Sequence, residues 1–290
     1  MTEAAVQSRR FDTLSATNLQ RIAALLYADA GIKLTPAKSS LVATRIAKRM
    51  RVLNLDSYDA YCDLVESRQG ADERKQMLNA LTTNVTRFYR EPHHFEDLAQ
   101  NVLPPLIEHA RAGGRVRLWS AACSTGEEPY SIALTLLGVE PQATRYDIRI
   151  LATDIDDNVL NKARAGVYSA DALSSVPAHL RSAHFEPLED GSKSGSKGGR
   201  AGDELRALIA FKSLNLIRPW PIKGPFDAIF CRNVVIYFDQ PTQEVLWEQF
   251  ARVMAPGSRL YLGHSERIAG PAAGFFGHAG LTAYARKGLE

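Results

Sequence analysis

The sequence predicts an α/β protein in which a small all-helical module precedes a larger, doubly wound parallel-sheet domain. Three observations carry this reading. Apolar residues recur at helical spacing from Ser15 to about Val85. Beyond Pro104-Pro105, short apolar runs alternate with helical patterns, as in a parallel sheet with crossover helices. The runs ending at Ala121, Thr153 and Cys231 are each followed by small or polar residues, which suits the ligand-facing rim of such a sheet.

The elements follow in order. Leu19, Ile22, Ala23, Leu26 and Ala30 step by threes and fours along one helix, with Gly31 placed as its stop. A second helix is expected after Thr35-Pro36, where a cap-competent residue precedes a proline, and runs through Leu41, Ile46 and Met50. Its other positions hold Lys38, Arg45, Lys48, Arg49 and Arg51, which read equally as a solvated face and as a dock for an acidic partner. In the second domain, strands are expected at Val116 to Ala121, Ile148 to Thr153, Ala228 to Cys231 and Arg259 to Leu262. Helices are expected at Pro129 to Leu137, Asn158 to Ala165 and Pro241 to Met254. The stretch EDGSKSGSKGGRAGDE, Glu189 to Glu204, is rich in glycine, serine and lysine and is expected to be a mobile excursion.

Composition narrows the function classes. The 290 residues are 45% hydrophobic, enough for a sizeable core. Lys and Arg total 35 against 32 for Asp and Glu, a net +3 that gives no broad footprint for nucleic acid. Cys62, Cys123 and Cys231 are odd in number without a CxxC pair, which argues against a disulfide framework or zinc site and for a reducing cytoplasm. No apolar run approaches the ~20 residues of a membrane helix, so the chain is read as soluble and cytoplasmic, with no membrane insertion. His93-His94 lacks neighbours at ligand spacing, so no metal is assigned. Nothing in the sequence demands more than a monomer.

Four constellations could carry chemistry. RLWSAACSTGEEPYSIALTL, from Arg117, reads as a strand, a turn of small residues around Gly126, and a helix. Such a turn lets a ligand reach helix N-terminal amides, while Glu127 and Glu128 would repel a pyrophosphate and suit a cationic sulfonium or amino group. Neither GxGxxG nor a Walker loop is present, so NAD and ATP lose their main support. A tight turn chosen only for packing fits this segment as well. LATDID ends a strand in Asp154, placed to accept from ribose hydroxyls, with Asp156 or Asp157 as the next helix's cap. GPFDAIFCRNVVIYF releases Arg232, Asn233 and Tyr237 at a strand's carboxyl end, and NALTTNVTRFYREPHHF sets Asn84, Thr86 and Arg90 among aromatics.

Together and in this order, TTNVTRFYRE, SAACSTGEEPYSIA, ATDID, FKSLNL, FDAIFCRNVVIYFD and the final GHSE resemble the chemotaxis receptor methyltransferases, the CheR family of class I S-adenosylmethionine enzymes. The resemblance implies a Rossmann-like methyltransferase domain over 89–290, an N-terminal all-α helical domain and linker over 1–88, and a small inserted β-subdomain over 168–212. It implies cofactor contacts from Asn84, Thr86, Arg90, Glu128, Asp154, Asn215, Leu216, Asn233 and Val234, and catalytic roles near the reacting groups for Arg90 and Tyr237. Arg45 and Arg49 match a face thought to receive the methylation helix of a methyl-accepting chemotaxis receptor. The implied reaction moves a methyl from S-adenosylmethionine to a glutamate side chain, giving the methyl ester and S-adenosylhomocysteine. The glycine-rich stretch departs from the family's hairpin and is expected to lack a buried strand face, which weakens any tethering to a receptor peptide. Rival readings are a non-catalytic sensor of the cofactor, a methyltransferase for another carboxylate, and, more weakly, a nucleic-acid methyltransferase.

Overall fold

In the computed structural model, which describes residues 12–188 and 198–288, Ser15 opens the first helix by accepting from the Asn18 amide at 3.1 Å. That helix, α1 (Ala16–Ala30), buries Ile22, Leu26 and Ala30 and ends where Gly31 turns left-handed at φ +68°. Thr35 makes no cap bond, and Pro36–Lys38 forms a short 3-10 turn, so the second helix, α2 (Ser39–Leu53), starts later than the sequence suggests. With α3 (Tyr58–Glu66) and α4 (Ala71–Leu81) it completes a helical unit around Val42, Ile46, Met50, Tyr61, Val65 and Met77.

The chain divides into two compact units after Thr83, upstream of the boundary expected at residue 88. Residues 84–88 belong to the second unit because Phe88 is buried edge-on against Tyr168 and Phe185, with ring centroids 4.9 and 5.9 Å away.

The second unit opens with α5 (His93–Asp97) and α6 (Leu103–Arg111), joined by a wide turn over Leu98–Val102. Then follow β1 (Val116–Ala121), α7 (Glu127–Val139), β2 (Ile148–Asp154) and α8 (Asp157–Ala165). A small subdomain comprises β3 (Val167–Tyr168), α9 (Ala170–Leu173), α10 (Ala178–His184), β4 (Phe185–Pro187) and β5 (Gly199–Ala201). The chain continues through α11 (Asp203–Leu208), β6 (Ile209–Ser213), β7 (Phe226–Cys231), α12 (Gln240–Val253), β8 (Met254–Leu262) and the hairpin β9 (Phe276–Gly280) and β10 (Ala283–Arg286). No helix among the described residues is long and apolar enough to cross a membrane.

The main sheet runs β6-β2-β1-β7-β8-β10-β9, parallel through β8 and antiparallel at the last two pairings. From β1 the chain steps outward through β2 and β6, then returns to lay β7 and β8 on the other side. The carboxyl ends of β1 and β7 therefore flank a topological switch point, where open α/β sheets form a ligand crevice. Register aligns these ends, with Ala121 beside both Thr153 and Cys231, and Asp154 beside Ser213.

The glycine-rich stretch requires a correction. Residues 189–197 lie outside the described part, but Gly199–Ala201 is an ordered central strand, antiparallel to both β3 and β4, with Gly199 and Ala201 buried. A Cβ at Gly199 would lie 3.0 Å from Leu173 and 3.1 Å from Phe185, and one at Gly198 would lie 2.3 Å from the Tyr168 carbonyl. At these two positions glycine permits close packing rather than mobility. The ground for doubting a peptide tether, the lack of a buried strand face, therefore falls.

Candidate functional site

One wall of the crevice is built where β1 ends. Ala122 at φ +62°, Ser124 at +50° and Gly126 at +99° fold the chain sharply into α7. A Cβ on Gly126 would come within 2.8 Å of both the Ala163 Cβ and the Tyr168 hydroxyl, so only glycine fits. Beside this turn, the Asp154 carboxylate accepts from the amides of Ser124 and Asp156, each at 2.9 Å. Burial pushes Asp154 up to about 6, against the opposing pull of these amides. Asp156 takes the capping role, accepting from the Asn158 amide at 2.8 Å, and also receives Asn84 Nδ2 at 3.0 Å. Asn84 reaches the turn a second time, its carbonyl accepting from Ser124 Oγ at 2.9 Å. After β6, the Leu214 amide donates to the Asp154 carbonyl at 3.0 Å, and Asn215 Oδ1 turns the chain by accepting from the Ile217 amide at 3.1 Å. Leu216 is buried, and its carbonyl accepts from Trp220 Nε1.

The other wall begins at Cys231. Asn233 is left-handed at φ +59°, and its amide, with those of Gly263, Val235 and Ile236, donates to the buried Glu266 carboxylate at 2.7–3.3 Å. Glu266 thus holds the turn carrying Asn233, Val234 and the half-buried Tyr237. Glu266 ends the GHSE motif, but nothing local in the sequence assigns it this role, because the Asn233 amide it holds lies thirty-three residues away in the chain.

The segment 84–91 closes this set. Arg90 is half-buried and bends its guanidinium back onto the Val85 carbonyl at 3.1 Å, while Thr86 is half-buried nearby in the chain. Glu91, left-handed at φ +57°, lies 3.4 Å from Asn233 Nδ2 and 3.3 Å from the His264 amide. Burial would raise the Glu91 carboxyl, but Arg232 and these donors hold it below the usual range. Tyr89, Glu91, Ala122, Ser124 and Asn233 make up most of the non-glycine left-handed residues described, and such strain persists where surrounding structure enforces a functional geometry.

Two expectations about charge change in the structure. Glu128 is not a free acid at the turn: Ser120 Oγ and Arg232 Nε both donate to it at 2.7 Å. Glu127 accepts from Thr125 Oγ1 at 2.7 Å, and burial raises its carboxyl. Glu91, His93 and His94 do offer metal-ligand atoms within 4.8 Å of one another. The cation present there is Arg232, whose Nη1 lies 3.1 Å from His94 Nδ1 and 3.7 Å from Glu91. His94 is held neutral, pushed down to about 3 by burial and by Arg232.

In the helical unit, Arg45 and Arg49 are not free cations. Arg45 caps the end of α4 by donating to the carbonyls of Ala80 and Thr82 at 3.1 and 2.6 Å. Arg49 forms a two-point pair with buried Glu73 at 2.9 and 2.6 Å, which also accepts from Tyr61 Oη at 2.9 Å. Lys48, on the same helix, is exposed.

Residues 84–285 match the family model "CheR methyltransferase, SAM binding domain", and residues 17–82 match "CheR methyltransferase, all-alpha domain". A probable chemotaxis protein methyltransferase of Rhizobium etli is 50% identical over 260 residues, covering 90% of this chain and 96% of that protein. The chemotaxis protein methyltransferases of Salmonella typhimurium and Escherichia coli are 42% and 41% identical, each covering 88% of this chain and 85% and 86% of their own lengths.

Proposed function

The chain belongs to the CheR methyltransferase family, and from that premise we propose that it methylates glutamate side chains on the cytoplasmic signalling helices of a chemotaxis receptor. The observation that carries the reading is the acid-rimmed switch-point crevice, where Asp154 sits beside a turn of small, left-handed residues. Bound there, S-adenosylmethionine supplies an electrophilic methyl on a cationic sulfur. The residues fit such a group: Asp154 stands at the strand end suited to ribose hydroxyls, and no phosphate-binding loop competes.

In this reading the protein's task is positioning. A glutamate carboxylate, with an ordinary pKa of about 4.3, is already ionised near neutral pH and needs no general base. Asn84, Thr86, Glu128 and Asp154 hold the donor from one side, Asn215 and Leu216 from beyond β6, and Asn233 and Val234 from the opposite wall. Tyr237 lines the channel through which the receptor side chain enters. Arg90 orients the incoming carboxylate without neutralising it, since a tight ion pair would blunt the nucleophile. Opposite charges vanish as the ester forms, so a cleft that excludes water favours the transition state over the separated ions. The helical unit presents α2 to the receptor, with Lys48 and Arg51 among its exposed residues. Arg45 and Arg49 shape that face from within.

The deciding assay is transfer of labelled methyl from S-adenosylmethionine to receptor cytoplasmic fragments, comparing wild type with Arg90→Ala and testing the product for base lability. Base-labile label on receptor glutamates, lost in the variant, is expected. Cofactor binding without labelling of any receptor fragment would refute the substrate assignment.

A further inference from the structure

Arg232 was legible in the sequence only as a polar residue after a strand. It is nonetheless a buried cation with four polar partners in the second unit. Its side chain is 2% exposed, and the guanidinium carbon lies 5.2 Å from the Phe95 ring centroid and 5.7 Å from that of Phe230. Nε donates to Glu128 at 2.7 Å. Nη1 donates to the Arg90 carbonyl and lies 3.1 Å from His94 Nδ1. Glu91 is 3.7 Å away.

His94 braces this arrangement. Its Nε2 lies 3.2 Å from the Leu281 carbonyl, an acceptor only, so that nitrogen carries the hydrogen. Nδ1 is then left with a lone pair for Arg232. One cation therefore ties the first turn of α7, the end of β7 and the 90–94 segment. Each of these three contributes a residue to the proposed site: Glu128, Asn233 and Arg90.

We propose that Arg232 is a positioning residue for methyl transfer, fixing the Glu128 carboxylate and the Arg90 main chain in one frame across the switch-point crevice. The proposal rests on the methyltransferase reading. A purely structural duty is a poor account of it, because buried ion pairs are often matched or bettered in stability by apolar side chains of similar volume. What apolar packing cannot supply is a rigid planar fork that holds two partners at fixed angles. Lysine offers one compact ammonium and cannot reproduce that fork. Arg232 touches neither reactant in this scheme. It acts through Glu128, which affects donor affinity, and through Arg90, which affects the reacting geometry.

The two routes predict different kinetic signatures. Arg232→Lys, Glu128→Gln, Arg232→Met and the double variant Arg232→Met/Glu128→Gln are compared in the full chain. For each, donor affinity is measured by calorimetry, methyl transfer to receptor fragments by label, and folding by thermal unfolding. Arg232→Lys keeps the charge at Glu128, so donor affinity is expected within about threefold of wild type, while kcat falls at least about tenfold through misplacement of Arg90. The double variant removes both partners of the buried pair. It is expected to melt closer to wild type than Arg232→Met, yet to show a kcat at least about tenfold below that of Glu128→Gln alone. The proposal is overturned if Arg232→Lys matches wild type in kcat, or if the double variant is no slower than Glu128→Gln. Should the wild type bind donor but label no receptor fragment, the receptor reading fails by itself. Donor affinity then still decides the proposal: Arg232→Met must weaken it at least about tenfold relative to Arg232→Lys.

Discussion

Replacing Asp154 with asparagine tests the cofactor assignment at its most exposed point. The carboxylate accepts from two backbone amides at 2.9 Å and is buried, which lifts it from the ordinary 3.8 to about 6. Between those values the native protein binds more protons than the unfolded chain, so this group's contribution to stability falls as pH rises from 3.8 to about 6, then stays level. The span corresponds to about 3 kcal/mol, the cost of keeping an ionised carboxylate in this place. Ribose hydroxyls donating to the ionised form would recover part of it, since hydrogen bonds to charged groups contribute about 1.5–3 kcal/mol each. Asp154→Asn should therefore weaken donor binding by roughly 10- to 150-fold near neutral pH. Wild-type affinity, relative to the asparagine variant's at the same pH, should also fall about tenfold per pH unit below about 6 and level off above it. The neighbouring carboxyls of Asp156 and Glu127 are common to both proteins, so the difference isolates Asp154. Calorimetric titration across that range is the assay. A ratio of wild-type to variant affinity independent of pH, or a variant binding as tightly as wild type, would refute the reasoning.

Other consequences follow from particular contacts. Arg49→Ala leaves Glu73 buried without its cation and should cost about 3 kcal/mol by denaturant unfolding, the low end for a broken buried pair because Arg49 is 23% exposed. Lys48→Glu should change stability by less than about 0.5 kcal/mol. If α2 meets an acidic receptor face, the same change should slow labelling about 5- to 30-fold, since a surface attraction becomes a repulsion of similar size. Gly126→Ala forces a Cβ to within 2.8 Å of the Tyr168 hydroxyl at φ +99° and should cost about 2–5 kcal/mol, seen as a lowered Tm. Glu266→Ala strands up to four amides and should cost about 3 kcal/mol, with a Tm lower by about 6–12 °C.

What the sequence made legible followed from strong local signals. β1, β2 and β7 are mostly apolar runs, each broken by one charged residue at its second position (Arg117, Arg149 and Asp227) and followed by small or polar residues, and their observed spans differ from expectation by two residues or fewer. The turn at Gly126 and the acid at Asp154 were readable because a parallel sheet exposes its strand ends in a fixed direction. β5 was not readable, because Gly199 carries no side chain to show that its face is packed against Leu173 and Phe185. β6 and the β9–β10 hairpin also escaped, having mixed composition and edge or near-edge places in the sheet. The partners of Arg45 and Arg49 on α2 were hidden for a related reason. Periodicity shows which way a side chain starts, but whether its charged end meets solvent or a Glu73 depends on a helix more than twenty residues away.

The same limit explains why the site's framework was harder to read than its rim. Asp154, Asn84 and Asn233 stand beside recognisable strand ends, whereas Glu266 and Arg232 act through contacts spanning some thirty to one hundred and forty residues. Their work can be inferred from the backbone they restrain. Asn233 and Glu91 sit in a left-handed conformation that costs roughly 1–3 kcal/mol apiece and that local sequence does nothing to favour at glutamate. Glu266 offsets that cost at Asn233 with a bond to its own amide. At Glu91, donors from Asn233 and His264 and the charge of Arg232 do the same. Methyl transfer between two ready-made reactants needs little acid-base chemistry but depends steeply on placement, so a rigid frame under strain is what the reaction requires of the protein. Loosening that frame should therefore depress kcat before it unfolds the chain, and variants at Arg232 and Glu266 should differ from core-packing variants in this respect.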